Sequence, residues 1–90
     1  MRLDQFLTAS RIIKRRTLAQ EFCENGRVSV NGTVAKSSKE IKIGDAVIVR
    51  RNTEHVTLRV LKLPATKQVS KAEAESLFEV VAIDPVDEPI

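Results

Sequence analysis

The hydrophobic positions at the beginning of the chain have the spacing of short helices. Leu3, Phe6 and Leu7 are separated by three and four positions, so they fall on one face of an α-helix. A second helical pattern runs from about Arg15 to Asn25, and Gly26 suits the left-handed residue that follows a last turn. The apolar face of this second helix has four members: Leu18, Ala19, Phe22 and Cys23.

The middle of the chain alternates polar and apolar residues, as half-buried strands do. Arg27 to Val30 leads into Asn31-Gly32, a pair that favours a two-residue hairpin because both residues tolerate positive φ. Thr33 to Ala35 is the predicted return strand. The apolar run from Ala46 to Val49 follows a turn at Gly44-Asp45. The pattern therefore predicts a small sheet after the two helices.

The last third of the chain predicts a strand, a short helix and a final strand. Residues 56–60 alternate apolar and polar side chains, and Pro64 ends this strand. Ser70 fits the capping position of a helix over residues 71–77. The two remaining segments are a final strand at 78–83 and an acidic tail with two prolines at 84–90.

Composition is that of a single globular domain. The chain has 90 residues, of which 42% are hydrophobic and 30% are charged, values typical of folded soluble proteins. No apolar run approaches the roughly 20 residues that span a bilayer, and the first residues lack the apolar stretch of a signal peptide. We therefore expect a cytoplasmic protein that does not contact a membrane.

The net charge of +3 conceals a division between the two halves of the chain. Residues 1–51 carry eleven Lys and Arg against five Asp and Glu, whereas residues 52–90 carry four against seven. The run from Arg11 to Arg16 places four cations at a predicted helix start, where the helix dipole favours acidic side chains. A polyanion would relieve this conflict, because phosphates bind well at helix N-termini. The basic half therefore predicts nucleic-acid binding.

The scarcity of aromatic residues narrows the kind of nucleic acid. The chain has no Trp or Tyr, and its three Phe residues stand at positions predicted to face the core. Readers of single-stranded RNA depend on exposed aromatic side chains. We therefore expect structured RNA, held by phosphate and groove-shape contacts.

Catalytic and metal-binding groups are not predicted. His55 is the single histidine and Cys23 the single cysteine, so there is no metal-ligand spacing. Cys23 lies on the apolar face of the second helix, where a small buried side chain is the expected role. We expect no enzyme activity, no metal and no cofactor.

Four motifs in order resemble the S-four RNA-binding module, which is named after ribosomal small-subunit protein four. They cover about residues 1–51: Arg2-Leu3-Asp4, Arg16-Thr17-Leu18-Ala19, Gly26 to Gly32, and Gly44-Asp45. The resemblance implies an α+β fold, in which two N-terminal helices pack on a small, mainly antiparallel sheet with a short C-terminal strand-helix-strand extension. The implied divisions are the module at 1–51, a β-rich extension of the same domain at 52–83, and the acidic tail at 84–90.

Within this superfamily the stretch from Ser10 to Ala19 is similar to the bacterial ribosome quality control family RqcP. A sister family, the ribosome-associated fifteen-kilodalton heat-shock protein, usually has a long basic C-terminal extension, which this chain does not share. The RqcP resemblance implies a monomeric, non-enzymatic factor that binds the large ribosomal subunit carrying peptidyl-tRNA. Such a factor contacts ribosomal RNA and the tRNA, and it helps a partner factor add C-terminal alanine tails to stalled nascent chains.

Two other interpretations of the sequence remain open at this point. One is a different RNA task on the same fold, such as heat-shock ribosome recycling, ribosome assembly or binding of a structured messenger RNA. The other is a protein-interaction adaptor, in which the apolar segments 56–63 and 78–83 dock a partner. The adaptor reading predicts an exposed apolar patch of several hundred Å².

The expected RNA contacts centre on Arg16, which matches the module's arginine at the start of the second helix. Its guanidinium can bind one phosphate through two N–H groups. Arg2 would lie beside Arg16 if the two helices pack together. A continuous helix would also place Arg11 near Lys14 and Arg15. The expected RNA-binding set is Arg2, Arg11, Lys14, Arg15, Arg16 and Lys36.

Three further residues have either a structural role or an RNA contact. Asp4 is expected to orient Arg15 or Arg16 through a salt bridge, or to cap the first helix. For both Arg27 and Asn31, a role in turn structure and an RNA contact are equally expected.

Overall fold

The computed structural model describes residues 1–66 and 68–86, which form three helices and one five-stranded sheet. The helices are α1 (Leu3–Ala9), α2 (Arg16–Glu24) and α3 (Lys71–Ser76). The strands are β1 (Val28–Val30), β2 (Thr33–Val34), β3 (Ala46–Arg50), β4 (Glu54–Val60) and β5 (Phe78–Pro85). The strand order is β2-β1-β3-β4-β5, and every neighbouring pair is antiparallel. The predicted α+β fold is confirmed.

One hydrophobic core joins the two N-terminal helices to the sheet. Alternate side chains of β3 and β4 point into it, because successive residues of a strand face opposite sides of the sheet. α1 contributes its predicted i, i+3, i+4 set. The largest buried apolar side chains are Leu3, Phe6, Leu7, Ile41, Leu58 and Leu77, together with Val28, Val47, Val49 and Val60.

The hairpin between β1 and β2 has the predicted turn. Asn31 has a φ of 51° and Gly32 a φ of 87°, so both central residues are left-handed, as a type I′ turn requires. Gly26, with a φ of 72°, follows α2 as expected. Ser70 caps α3, because its Oγ accepts a hydrogen bond from the backbone N–H of Glu73 at 3.1 Å.

The boundaries of two strands differ from the prediction. β4 begins at Glu54, two residues before the predicted start. β5 continues to Pro85, so Asp84 and Pro85 belong to the sheet and pair with His55 and Glu54. The predicted acidic tail therefore begins inside a strand, and its residues 87–90 lie outside the described part of the chain.

A segment distant in sequence fixes the beginning of α1. The backbone N–H of Leu3 donates to the carbonyl of Lys39 at 2.7 Å, and that of Asp4 donates to the carbonyl of Ser37 at 3.1 Å. Arg2 forms an isolated antiparallel bridge with Glu40. These bonds satisfy N–H groups that have no partner within the helix, and they set the position of Asp4.

Candidate nucleic-acid interface

Asp4 is a fully buried carboxylate that accepts hydrogen bonds from both N-terminal helices. Its Oδ1 accepts from Arg2 Nε at 3.2 Å and from the backbone N–H of Gln5 at 2.9 Å. Its Oδ2 accepts from Arg16 Nε at 3.2 Å, from Gln20 Nε2 at 3.0 Å and from Arg2 Nη2 at 3.4 Å. We call Asp4 with Arg2, Arg16 and Gln20 the Asp4 cluster.

The pKa of Asp4 is lowered in the folded protein. Burial raises it, but the hydrogen bonds from Gln20 and Arg16 and the positive charges of Arg16 and Arg2 outweigh that effect. The carboxylate is therefore ionised at neutral pH. Its position in the first turn of α1 also suits a negative charge, because the helix dipole is positive there.

The cluster holds each guanidinium by one edge. The side chains of Arg2 and Arg16 remain 43% and 45% exposed. In the part of the chain that the structure describes, neither Nη atom of Arg16 donates a hydrogen bond to protein. Because Asp4 uses Nε, the Nη groups of Arg16 are free to bind a ligand.

The prediction that Asp4 orients an arginine through a salt bridge is confirmed, and its partners are Arg16 and Arg2 rather than Arg15. The predicted proximity of Arg2 and Arg16 is also confirmed. Gln20 was not predicted. It lies four residues after Arg16 on α2, and this spacing places two side chains on the same helical face.

The expected dipole conflict at the start of α2 is smaller than the sequence suggested. Arg15 is the capping residue with an extended backbone, and the first helical turn contains no acid. However, the charge of Arg16 meets Asp4 from the neighbouring helix, so a carboxylate of the protein itself supplies part of the compensation. The helix start alone is therefore weaker evidence for a polyanion than the predicted pattern implied.

The two helices are separated by a turn, so the helical spacing of Arg11 from Lys14 and Arg15 does not by itself bring these residues together. α1 ends at Ala9, and Arg11 has a φ of 62°, a left-handed conformation that a helix interior excludes. Arg11 Nη2 instead donates to the carbonyl of Val69 at 3.3 Å. A turn therefore connects the two helices.

This turn nevertheless brings several of the predicted cations to one depression. A depression of about 520 Å³ is lined by Arg11, Lys14 and Arg16, with Gln5 and Thr8 among its polar groups. Gln5 also accepts a hydrogen bond from the backbone N–H of Arg2 at 3.3 Å. The cations are gathered here by the turn and by α2.

Lys36 lies away from these cations, in a different depression that borders the β1–β2 hairpin. Its side chain is exposed. The next residue, Ser37, accepts the hydrogen bond from the backbone of Asp4. Lys36 is therefore close to the start of α1 along the chain, but it does not line the Arg16 depression.

Arg27 and Asn31 both have structural partners. Arg27 Nη1 donates to the carbonyl of Arg50 at 3.3 Å and to Asn52 Oδ1 at 3.0 Å. Its guanidinium carbon lies 5.7 Å from the centre of the Phe22 ring, within the range of a cation–π contact.

The side chain of Asn31 joins its turn to the beginning of β3. Asn31 Nδ2 donates to Asp45 Oδ1 at 3.1 Å, and its Oδ1 accepts from the backbone N–H of Ala46 at 3.0 Å. These bonds support a turn role for Asn31.

Cys23 is buried on α2, where it faces the core. Burial raises the pKa of its thiol to about 11, so the reactive thiolate is scarce at neutral pH. Among the described residues no group of three or more His, Cys, Asp or Glu side chains could hold a metal ion. In the same part of the chain no helix is long and apolar enough to cross a membrane.

Comparison with known proteins identifies relatives of the chain and of its fold. Residues 1–47 match the S4 domain. The chain is 33% identical to heat shock protein 15 of Escherichia coli over 82 residues, but it spans only 61% of that protein. The solved structure of the Vibrio cholerae heat shock protein 15, described as trimeric, has a TM-score of 0.82 and 34% identity, covering 91% of this chain and 82% of that one.

Two other relatives match along nearly their whole length, and both are named RQC P-site tRNA stabilizing factor. The protein of Halalkalibacterium halodurans is 48% identical over 86 residues, covering 96% of each chain. The protein of Bacillus subtilis is 43% identical over 88 residues, covering 98% of this chain and 100% of that one. The chain therefore belongs to the S4 domain family and, within it, to the family of RQC P-site tRNA stabilizing factors.

Proposed function

We propose that this chain binds structured RNA through the Asp4 cluster and stabilises a P-site tRNA on the large ribosomal subunit, supporting C-terminal alanine tailing of stalled nascent chains. The near full-length similarity to two P-site tRNA stabilizing factors supports this proposal. Its partners are ribosomal RNA of the large subunit, peptidyl-tRNA and the alanine-tailing partner factor. The protein acts in the cytoplasm as a monomer and catalyses nothing.

The proposal rests on the observation that Arg2 and Arg16 both form ion pairs with Asp4. A free arginine side chain loses about 2 kcal/mol of rotamer entropy when it is fixed. Here the hydrogen bonds to Asp4 restrict both guanidinium groups before any ligand arrives. Such preorganisation favours binding, because less entropy is lost on association.

The geometry suits a phosphate backbone better than a base edge. Guanidinium N–H groups bind phosphate oxygens in pairs. Contacts of this kind fix the position of a protein on folded RNA and carry little sequence information. A factor that holds a tRNA in one place on the ribosome needs contacts of that kind.

Co-sedimentation with purified large subunits carrying peptidyl-tRNA tests the Arg16 assignment. Arg16→Ala should reduce the bound fraction strongly. Arg59→Ala is the matched control, because Arg59 is also about half exposed and also faces one carboxylate, that of Glu79. Equal retention of the two variants would contradict the assignment of Arg16.

The salt dependence of binding tests the phosphate contacts as a group. If the basic residues neutralise about four to six phosphates, log K should fall with log salt at a slope of roughly −3 to −5. A slope near zero would indicate that a protein contact, rather than RNA, holds the chain on the subunit.

The edge of the sheet favours a second candidate function, the docking of a protein partner. Val80, Val81 and Ile83 of the edge strand β5 are 50–55% exposed, although apolar side chains of this size usually face a core. The bulge beside Thr57 and Leu58 of β4 interrupts the regular pairing of this edge. Replacing Val80 and Ile83 with Thr should leave RNA binding intact and weaken capture of the alanine-tailing factor, if that factor docks here.

A further inference from the structure

A second cationic depression, which we call the Arg51 groove, lies between the turn that precedes α2 and the end of β3. Four cations line it: Lys14, Arg15, Arg27 and Arg51. Its volume is about 610 Å³, and none of the residues lining it is acidic. Neither Asp4 nor Arg16 lines this groove, so its positive charge is separate from that of the Asp4 cluster.

Neutral groups, rather than carboxylates, hold two of these arginines in place. Arg51 Nη2 donates to the carbonyl of Ile12. Arg27 is held by the carbonyl of Arg50 and by Asn52. Among the described residues no carboxylate lies within ion-pair distance of any of the four cations. The charges of Arg27 and Arg51 are therefore fixed in position, and none of the four charges is compensated locally, which attracts an anion.

Part of the lining of the groove is apolar. Leu18 lines it and is 43% exposed, and Ile12 and Phe22 line it with part-buried side chains. Cationic and apolar side chains in one groove match the two parts of a nucleotide. Backbone phosphates bind cationic side chains, and a base that has left its stack packs on apolar or aromatic surfaces.

We propose that the Arg51 groove binds one unpaired nucleotide of a folded RNA, with its base against Leu18 and its phosphate near Arg15 and Arg51. Arg51 lies beyond residues 1–47, the segment that matches the S4 domain. Under this proposal, RNA recognition extends past the segment that matches the S4 domain. This inference rests on the proposed RNA-binding function, but it uses residues outside the Asp4 cluster.

RNA is favoured over an acidic peptide because Lys14 lines both the Arg51 groove and the depression that contains Arg11 and Arg16. The two cationic surfaces are thus adjacent. One RNA backbone can pass from one to the other while a single bulged nucleotide enters the groove. Binding of an acidic peptide would account for the charge of the Arg51 groove, but not for the cationic depression beside it.

The test compares two RNA hairpins that carry the same number of phosphates. One has a single bulged adenosine, and the other has an abasic sugar at that position. Base stacking on a protein surface contributes enough for about a fivefold to tenfold preference. In fluorescence anisotropy, we expect the 90-residue chain to bind the hairpin with the bulged adenosine more tightly than the abasic hairpin by that factor.

Two matched pairs of variants assign the preference to the groove. Leu18→Ser should abolish it, whereas Leu61→Ser should keep it, because Leu61 is equally exposed at 44% and lies outside the groove. Arg51→Gln should weaken binding of both hairpins by a similar factor, and Arg59→Gln should not. Circular dichroism of each variant confirms that it is folded.

Several outcomes would overturn the proposal. Equal affinity of the wild-type chain for the two hairpins would exclude a base-binding groove. An unchanged preference in Leu18→Ser, or unchanged binding in Arg51→Gln, would also exclude a base-binding groove. Either result is expected if the groove binds an acidic peptide instead. In all these cases Arg16→Ala should still weaken both hairpins if the proposed function is correct. Failure of the wild-type chain to bind either hairpin would overturn the groove and RNA binding together.

Discussion

Replacement of Asp4 by asparagine tests the Asp4 cluster, because the two side chains have nearly the same shape. Oδ1 accepts from Arg2 Nε and the Gln5 backbone, and Oδ2 accepts from Arg2 Nη2, Arg16 and Gln20. The asparagine amide offers one oxygen and one NH₂ group. Whichever way the amide points, its NH₂ group faces at least two donors that have lost their acceptor.

The expected cost follows from those lost bonds. A hydrogen bond to a charged group contributes about 1.5–3 kcal/mol. Arg2 and Arg16 are almost half exposed, so water can solvate a guanidinium that loses its partner, and part of the loss is recovered. We therefore expect Asp4→Asn to lower the free energy of unfolding by about 2–3 kcal/mol. In a chain of this length that corresponds to a Tm lower by about 10–20 °C.

Urea unfolding followed by circular dichroism measures this change, since the chain has no Trp. Glu79→Gln is the matched control, because the ion pair of Glu79 with Arg59 spans 3.9 Å between two half-exposed side chains. This control should differ from wild type by less than about 0.5 kcal/mol. An Asp4→Asn variant as stable as Glu79→Gln would refute the argument that all five donor atoms need a carboxylate.

Three other predictions concern acid stability, thiol reactivity and the hairpin turn. Because the folded pKa of Asp4 is lowered, its contribution to stability is complete above its ordinary pKa of 3.8 and is lost as the pH falls through the lower folded value. An acid titration of the unfolding free energy should show this loss in wild type and not in Asp4→Asn. Since burial raises the pKa of Cys23 to about 11, iodoacetamide at about pH 8 should label the native protein far more slowly than the urea-unfolded chain, and equal rates would contradict its burial. Asn31→Ala removes two side-chain hydrogen bonds and places alanine at a φ of 51°, so it should lower the free energy of unfolding by about 1–3 kcal/mol; an unchanged urea midpoint would contradict this role.

Local sequence signals predicted the elements of the fold well. The Asn31-Gly32 turn, Gly26 after α2 and the Ser70 cap each depend on a few adjacent residues, and each was found where it was predicted. The end of β5 was not predicted, because Asp84 and Pro85 join the sheet by pairing with β4. Acidic residues and proline locally favour an irregular tail, but a local preference takes no account of hydrogen bonding to a partner strand.

The candidate site was predicted only in part, because its geometry depends on contacts between distant segments. Sequence reasoning paired Arg2 with Arg16, but it did not predict that Gln20 would share Asp4 with them. It placed Arg11 near Lys14 and Arg15 only on the condition of a continuous helix, because the spacing of charges does not reveal a left-handed residue. The contact between Arg51 and the Ile12 carbonyl joins segments far apart in the chain, and no local pattern indicates it.

The bond from Leu3 to Lys39 has a thermodynamic consequence. The contact joins the first residues to a distant segment in the folded chain, where Arg2 and Arg16 share Asp4. The unfolded chain carries the same charges but scatters them, so an RNA that recognises their arrangement binds the native state preferentially. By mass action, free RNA at a hundred times its Kd adds about 2.7 kcal/mol to the stability of the fold. A defect the size of that expected for Asp4→Asn should therefore be visible in the isolated protein and largely masked where its RNA is abundant.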